Sequence, residues 1–561
     1  MSGPDDDESA GTPGSSGGAD ADVTRPTGPS RTRLNPKLTL VVTVLGFGLP
    51  VLGYFWLIVR YGVNDIYQDQ WSDIALIKHS YVHAFDWNSV WSQHNEDRLL
   101  FPNLIVLLLA DVGHFNVKLE EFISGCMLVA AVFCLIWTHK RRSPAVPWLY
   151  YCPVAILALS IVQYGATLWG FQLAWYLVLL AMAVTLMTLD RTELTWLALS
   201  LGICAAVVGS FSSVQGLLIW PTGLALLWCR NRDLRALATW SAAAIVTAGL
   251  YFYHFSFTAG SRFPSALTRH AISPVLFAVF TVGDVLGVPV KFGGTNDAVL
   301  IAGVVIVVVA LSAAAVFGIP RDTESGGPVG VALICFGLLF AALVARGRAA
   351  LGYWAASSSG YTMYELLVLV GVYFCLLSAP QRMRTAFGKD ARGSSANGVR
   401  RGTRPWISGR YAKVVGSLLT VLVIVQITSG ITHGLTGARA VHVAQERAAS
   451  TTLHIQQASD SEVVANLDFS ESARRTRELA RTAAAHRLGP FEGLTSGTAG
   501  QIPDARRTLR PARPLSHVEI SMRDGGHPTI RLVSTGGRRG PAADGVRTVR
   551  SSTDSPPERT R

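Results

Sequence analysis

Apolar runs long enough to cross a bilayer recur along the whole chain and constrain its fold more than any other feature. An α-helix rises 1.5 Å per residue, so a hydrocarbon core of ~30 Å takes about 20 apolar residues. The first run is 38–59, and others follow at about 118–138, 145–163, 171–189, 194–210, 214–229, 236–257, 298–318, 329–345, 361–379 and 412–433. Two apolar pieces fit less well. Residues 101–112 are too few to span, and 271–290 is interrupted by Pro274, Gly283, Asp284, Gly287 and Pro289. Both predict interfacial or re-entrant segments. The expected fold class is all-α: a polytopic membrane protein with about eleven transmembrane helices, within a range of ten to thirteen.

Composition excludes the main alternatives. Charged residues are 15% and apolar residues 50% of the 561, where soluble proteins carry roughly 25% charge. The seven cysteines lie in or beside apolar runs and form no CxxC pair, which argues against a disulfide framework or a zinc site. The net charge of +12 sits in tails and short loops between apolar runs. There it sets topology rather than binding nucleic acid.

Three basic segments fix the expected orientation: His139-Lys140-Arg141-Arg142, residues 230–235, and the loop 381–410. By the positive-inside rule all three are cytoplasmic. They agree if the two interrupted pieces do not cross, which gives eleven spans in the plasma membrane, a cytoplasmic N-terminus and an extracytoplasmic C-terminus. The domain plan is then a disordered tail at 1–36 and a transmembrane domain at 37–434. That domain includes a long outer loop at 60–115, expected to form interfacial helices, and a basic cytoplasmic loop at 380–411. A helical extracytoplasmic segment at 435–495 and a largely disordered tail at 496–561 complete it. Within the tail, 518–533 alternates like a weak hairpin.

In this topology the unusual polar residues share the outer side. The first outer loop holds Asp65, Asp69-Gln70-Trp71, Asp73, Trp87, Trp91 and His94-Asn95-Glu96-Asp97-Arg98. Later outer segments add Gln163, Trp169, Gln172, residues 210–215, Arg346, Arg348 and Tyr361. Asp65, Asp69 and Asp73 are spaced by four, so on one helix they would share a face. Any of the three suits a general base. Asp69, Asp73, His94 and Glu96 are residue types that a divalent cation accepts, but their spacing matches no metal motif, and no cofactor is expected. Nucleotide-binding, serine-hydrolase and zinc-protease motifs are absent from the sequence.

A long first outer loop with an acidic motif just after span one resembles the C-type glycosyltransferase fold, whose members take sugars from polyprenyl-linked donors. More narrowly, the chain is similar to a group of bacterial polytopic membrane proteins. The pieces carrying that likeness are Asp69-Gln70-Trp71, His94-Asn95-Glu96-Asp97-Arg98 before Phe101-Pro102, Leu168-Trp169-Gly170-Phe171-Gln172, residues 210–220, and Gly347-Arg348 with Ser359-Gly360-Tyr361. Two positions depart from the pattern. Asp97 stands where a His is expected, and Gly360 where an Arg is expected.

The resemblance implies transfer of a sugar from a polyprenyl-linked donor to an extracytoplasmic acceptor. It makes Asp69 the general base, with His94 and Glu96 orienting the acceptor. Arg98 and Arg348 would meet the leaving phosphate, Trp71 and Trp169 would stack on sugar, and Gln172 and Tyr361 would line the substrate site. The bilayer and the lipid-linked donor are the expected partners. The rival expectation is a non-enzymatic carrier or envelope assembly factor that keeps the fold without the chemistry. An acyl transferase is a third, but the His-Asp motif it would carry is not seen.

Overall fold

A computed structural model of the chain describes residues 35–83, 85–230, 232–256, 273–288, 296–318, 326–349, 353–392, 405–467, 472–492, 517–522 and 528–533. The helices run in the order α1 (Pro36–Tyr61), α2 (Gln70–Val82), α3 (Trp87–Trp91), α4 (Leu100–Gly113), α5 (Val117–Arg142), α6 (Cys152–Ala158), α7 (Tyr164–Thr167) and α8 (Leu173–Leu189). There follow α9 (Trp196–Ser210), α10 (Ile219–Cys229), α11 (Leu234–Phe252), α12 (Ser273–Gly283), α13 (Asp297–Ala313) and α14 (Gly327–Arg348). The last are α15 (Tyr353–Ala356), α16 (Thr362–Arg392), α17 (Pro405–Leu453), α18 (Asp460–Asn466) and α19 (Ala473–Ala485). Among the described residues, 8 helical stretches are long and apolar enough to cross a membrane, and five shorter apolar helices join them.

Local sequence explains most boundaries. Asn35 caps α1 with Pro36 at its first position, and Asn116, Thr195, Asp233 and Asn296 cap α5, α9, α11 and α13 through their side chains. Such caps satisfy N–H groups that have no partner within the helix. The short apolar piece at 101–112 becomes the 14-residue α4, about 21 Å long. The interrupted piece becomes the 11-residue α12, a 3₁₀ turn at Asp284–Leu286 and Gly287 at φ +63°. Two expected spans differ in form. The run at 145–163 is a broken segment with a 3₁₀ turn at Trp148–Tyr151, then α6, a second turn at Ile161–Gln163 and α7. Its break lies at Ser160, whose hydroxyl caps Val162 and accepts from Gln426 at 2.8 Å. The run at 412–433 lies inside the 49-residue α17, because the polar stretch beyond it carries no proline to stop the helix.

Contacts between elements sort the helix termini into two ends. At one, His442 on α17 reaches the Tyr61 carbonyl at 2.9 Å, Phe101 N–H donates to the Phe211 carbonyl, and Gly165 N–H donates to Ser359 Oγ at 3.2 Å. At the other, Arg142 and Arg230 meet Asp190, and His139 meets Ser378. Helix α5 joins the two; its 26 residues span about 39 Å. The bundle core between them is built from buried residues such as Tyr54, Leu186, Phe336 and Phe374.

A second core lies at the Tyr61 end. Ile66, Trp71, Ile74 and Phe115 from the first loop bury against Ile455, Val463, Leu479, Leu488 and Phe491 from the C-terminal segment. Thus α2, α4, α18 and α19 form one helical lobe. The expectations for most of 1–36, for 393–404 in the basic loop and for most of 496–561 lie outside the described residues. Residues 496–561 separate as their own unit. Its described part is an antiparallel hairpin of strands β3 (His517–Met522) and β4 (Pro528–Val533), with His517 opposite Val533. Strands β1 (Gln93–His94) and β2 (Asp97–Arg98) form the other sheet among the described residues.

Candidate functional site

The start of α2 sets the geometry. Gln68 turns the chain at φ +52°, and its N–H is held by the Leu467 carbonyl at 2.7 Å. Asp69 follows at the N-cap position, but its carboxylate makes no cap bond. That carboxylate instead lies 3.6 Å from His94 Nε2, with about a third of its side chain exposed. The separation is ion-pair contact rather than a hydrogen bond. Asp73, one turn along the same face, is 5% exposed. Asp65 does not join them. It precedes α2 in an irregular segment and is fully buried, and it acts electrostatically on Glu121. The expectation of three aspartates on one helical face is therefore corrected, because the turn at Gln68 separates Asp65 from the other two.

His94 sits on a two-strand hairpin opposite Asp97. Asn95 between them takes φ +50°, a conformation asparagine tolerates better than most residues. Asp97 accepts from Ser213 Oγ and from Val214 N–H, both at 2.7 Å. The departure at position 97 thus tethers the hairpin to the start of the turn Val214–Leu218. Arg98 is a second tether. Its guanidinium donates to the carbonyls of Trp91 (3.1 Å), Tyr251 (3.1 Å) and Tyr253 (2.5 Å), and it lies over the Trp91 ring.

Burial and charge act together here. Burial pushes Asp73 up to about 8, with His94 drawing it back only in part. Burial likewise raises Asp97 against the hydrogen bonds from Val214 and Ser213. For His94, burial disfavours the charged ring, but the Asp69, Asp73 and Asp97 carboxylates outweigh it and raise its pKa. The contact thus sets an imidazole whose charged form is favoured beside the accessible Asp69 side chain, with the neutral form of buried Asp73 favoured one turn along.

Aromatic surface extends from this cluster. The Phe171 ring is 5.4 Å from His94 and 5.8 Å from the Trp169 ring, to which it is stacked. Beside Trp169, Gln172 is 5% exposed with an unpartnered Oε1. Trp71 is elsewhere: it is 1% exposed, inside the lobe core. Glu96 is at the hairpin tip, its carbonyl accepting from Tyr251 Oη at 2.6 Å. Arg348 and Tyr361 form a neighbouring patch, in which exposed Arg348 acts electrostatically on Tyr361 and Tyr361 stacks on Trp175 at 5.9 Å.

Sequence reading missed the floor of the site. Glu120, in the first turn of α5, and Glu121 just after it are each 1% exposed. Gln70 Nε2 donates to Glu120 Oε2 at 3.3 Å, and Gly170 leaves room for that pair, since a Cβ there would strike both side chains. Acids at a helix N-terminus ordinarily just complement its dipole. The signal that marks these two is their position at the start of an apolar span. Among the described residues no group of three or more His, Cys, Asp or Glu side chains is arranged to hold a metal ion. Compared with protein-family models, curated proteins and solved structures, the chain matches none.

Proposed function

We propose that the chain is a membrane glycosyltransferase of the C-type kind, using a polyprenyl-linked sugar donor at the outer face of the plasma membrane. The observation that carries this reading is the Asp69–His94 contact. It combines an accessible carboxylate with an imidazole whose charged form is favoured, beside the Phe171–Trp169 ring surface. In this reading Asp69 takes the proton of an acceptor hydroxyl as its oxygen bonds to the anomeric carbon. The bond from that carbon to the lipid phosphate breaks on the opposite face, the phosphate leaves with the electron pair, and configuration inverts. His94 holds the carboxylate in place. Arg348 is the cation suited to the leaving phosphate, since Arg98 is occupied by carbonyls. The proposed topology has eleven crossings, with α4 and α12 not crossing and the lobe outside.

Asp69→Asn keeps the shape of the side chain and removes the base. In membranes given a radiolabelled polyprenyl-phosphate hexose, transfer is expected to fall by about 10²–10⁴-fold, and Asp65→Asn is expected to cost far less. Near-native transfer by Asp69→Asn, with Glu96→Gln inactive, would move the base to Glu96. A second reading, a carrier without transfer chemistry, is favoured by Gly360 and by the engagement of Arg98. It takes the lead if the unmutated protein transfers sugar from no polyprenyl donor.

A further inference from the structure

The arginine end of the bundle carries a separate cluster that the proposed chemistry does not use. Asp190, at the end of α8, is fully buried, with Arg230 Nε at 2.5 Å and Arg142 Nε at 3.5 Å. Arg141 donates to the carbonyls of Met187 and Asp190, both at 2.9 Å. Arg142 also reaches Thr192 Oγ1, and Arg232 donates to the carbonyls of Thr192 and Arg191. Four guanidiniums thus converge on one loop around a single buried carboxylate. Burial lowers the pKa of Arg141, Arg142 and Arg232, and their mutual repulsion adds to this, with Asp190 opposing it. Such a cluster is short of negative charge.

A cavity of about 230 Å³ opens beside it, lined among others by Thr195, Trp196, Leu199, Arg232, Asp233 and Ala236. Arg232 Nε is buried without a hydrogen-bond partner. Asp233 is the opposing acid on the wall, and its Oδ1 is engaged by the Arg235 N–H as the cap of α11. The cavity lies between the starts of α9 and α11. The flanking residues Trp196, Leu197, Trp228 and Leu234 are 62%, 70%, 73% and 80% exposed. Exposed tryptophan and leucine at a helix end suit the headgroup level of a bilayer, not water.

We infer that this cavity binds the phosphate headgroup of an anionic phospholipid in the adjoining leaflet. The phosphate oxygens accept from the terminal N–H groups of Arg232, which exchange their exposed contacts to the Thr192 and Arg191 carbonyls for the phosphate, unlike those of the buried Arg98. The acyl chains lie along the exposed apolar faces of α9 and α11, over Leu201, Ile245 and Val246. Arginine suits this role because its planar fork matches phosphate oxygens. Basic pockets between spans are a known form of headgroup site.

The test is retention of lipid by the full chain in native mass spectrometry, comparing phosphatidylglycerol with phosphatidylcholine. Phosphatidylglycerol is expected to be retained about tenfold better, because its headgroup is net anionic whereas the choline cation of phosphatidylcholine is repelled by the converging guanidiniums. Arg232→Gln should remove that preference. Ala236→Phe fills the cavity without altering charge and should remove it too, which guards against a folding effect at Arg232. Arg235→Gln, an equal charge loss at an exposed neighbour, should keep it. Equal losses from Arg232→Gln and Arg235→Gln would mean unspecific attraction and overturn the site. Displacement of the lipid by millimolar inorganic phosphate would assign the cavity to a soluble phosphate and overturn the lipid.

Discussion

Asp73 is where burial and chemistry conflict most openly. Its carboxyl titrates near 8 in the folded chain, against about 3.9 when unfolded. Between those values the unfolded chain has lost a proton that the folded chain keeps, so stability falls as pH rises from about 4 to about 8 and is level above. Asp73→Asn abolishes that titration. Its melting midpoint should exceed that of the unmutated protein by at least about 2 °C at pH 8, and the gain should shrink at pH 5, as read by thermal unfolding in detergent at the two pH values. An equal shift at both would mean that the Asp73 proton is not what changes. The sequence made Asp73 visible as one of three evenly spaced acids. It could not choose between them, because that choice depends on the turn at Gln68. Glu120 stayed hidden for a related reason: an acid at a helix start looks solvated until the Gln70 amide and Gly170 are seen beside it.

At the scale of elements, hydrophobic runs gave most of the bundle directly, since span-length apolar helices need no partner to be recognised. Partnerships were not legible. Nothing local to 455–492 says that its apolar residues meet Trp71, because α2 and α19 meet only in the tertiary structure. The contacts are specific. Gln68 N–H donates to the Leu467 carbonyl, Asn64 Nδ2 to the Gly489 carbonyl at 3.0 Å, and Lys78 pairs with Glu478. That ion pair is exposed and adds little; buried apolar surface does most of the holding. Ending the chain after His454 should therefore leave the bundle inserted while exposing the Trp71 face of α2. Limited proteolysis should then cleave within 62–83 at least about tenfold faster, the effect of losing ~1.4 kcal/mol of local stability. Unchanged cleavage would show that α2 is held by the bundle instead. A contrasting case is Gly283, packed against the Val299 and Gly303 backbone. There a small residue lets α12 and α13 approach closely, as is common between membrane helices.

The described helical bundle differs in charge between its two ends, and that difference yields the last prediction. Helix α5 begins at the buried Glu120 and Glu121 and ends at His139-Lys140-Arg141-Arg142. Its ~39 Å length separates the Asp69–His94 cluster and its lobe from the arginines around Asp190. The two ends should therefore face opposite sides of the bilayer. Short-loop arginines are retained on the cytoplasmic side, so the Asp69 end should be extracytoplasmic. Helix α17 enters the lobe at that end, where His442 bonds to Tyr61. A phosphatase fused after residue 492 should accordingly be active outside the cell, and a fluorescent protein fused there should stay dark. The same reporters placed after Arg142 should give the reverse. An inactive phosphatase with a fluorescing partner at residue 492 would put Asp69 and His94 in the cytoplasm. A donor reached from the outer leaflet would then have no route to the carboxylate, and the transferase reading would fail together with the topology. Activity at residue 492 combined with activity after Arg142 would instead break the link through α5, since one helix cannot present both ends to the same side.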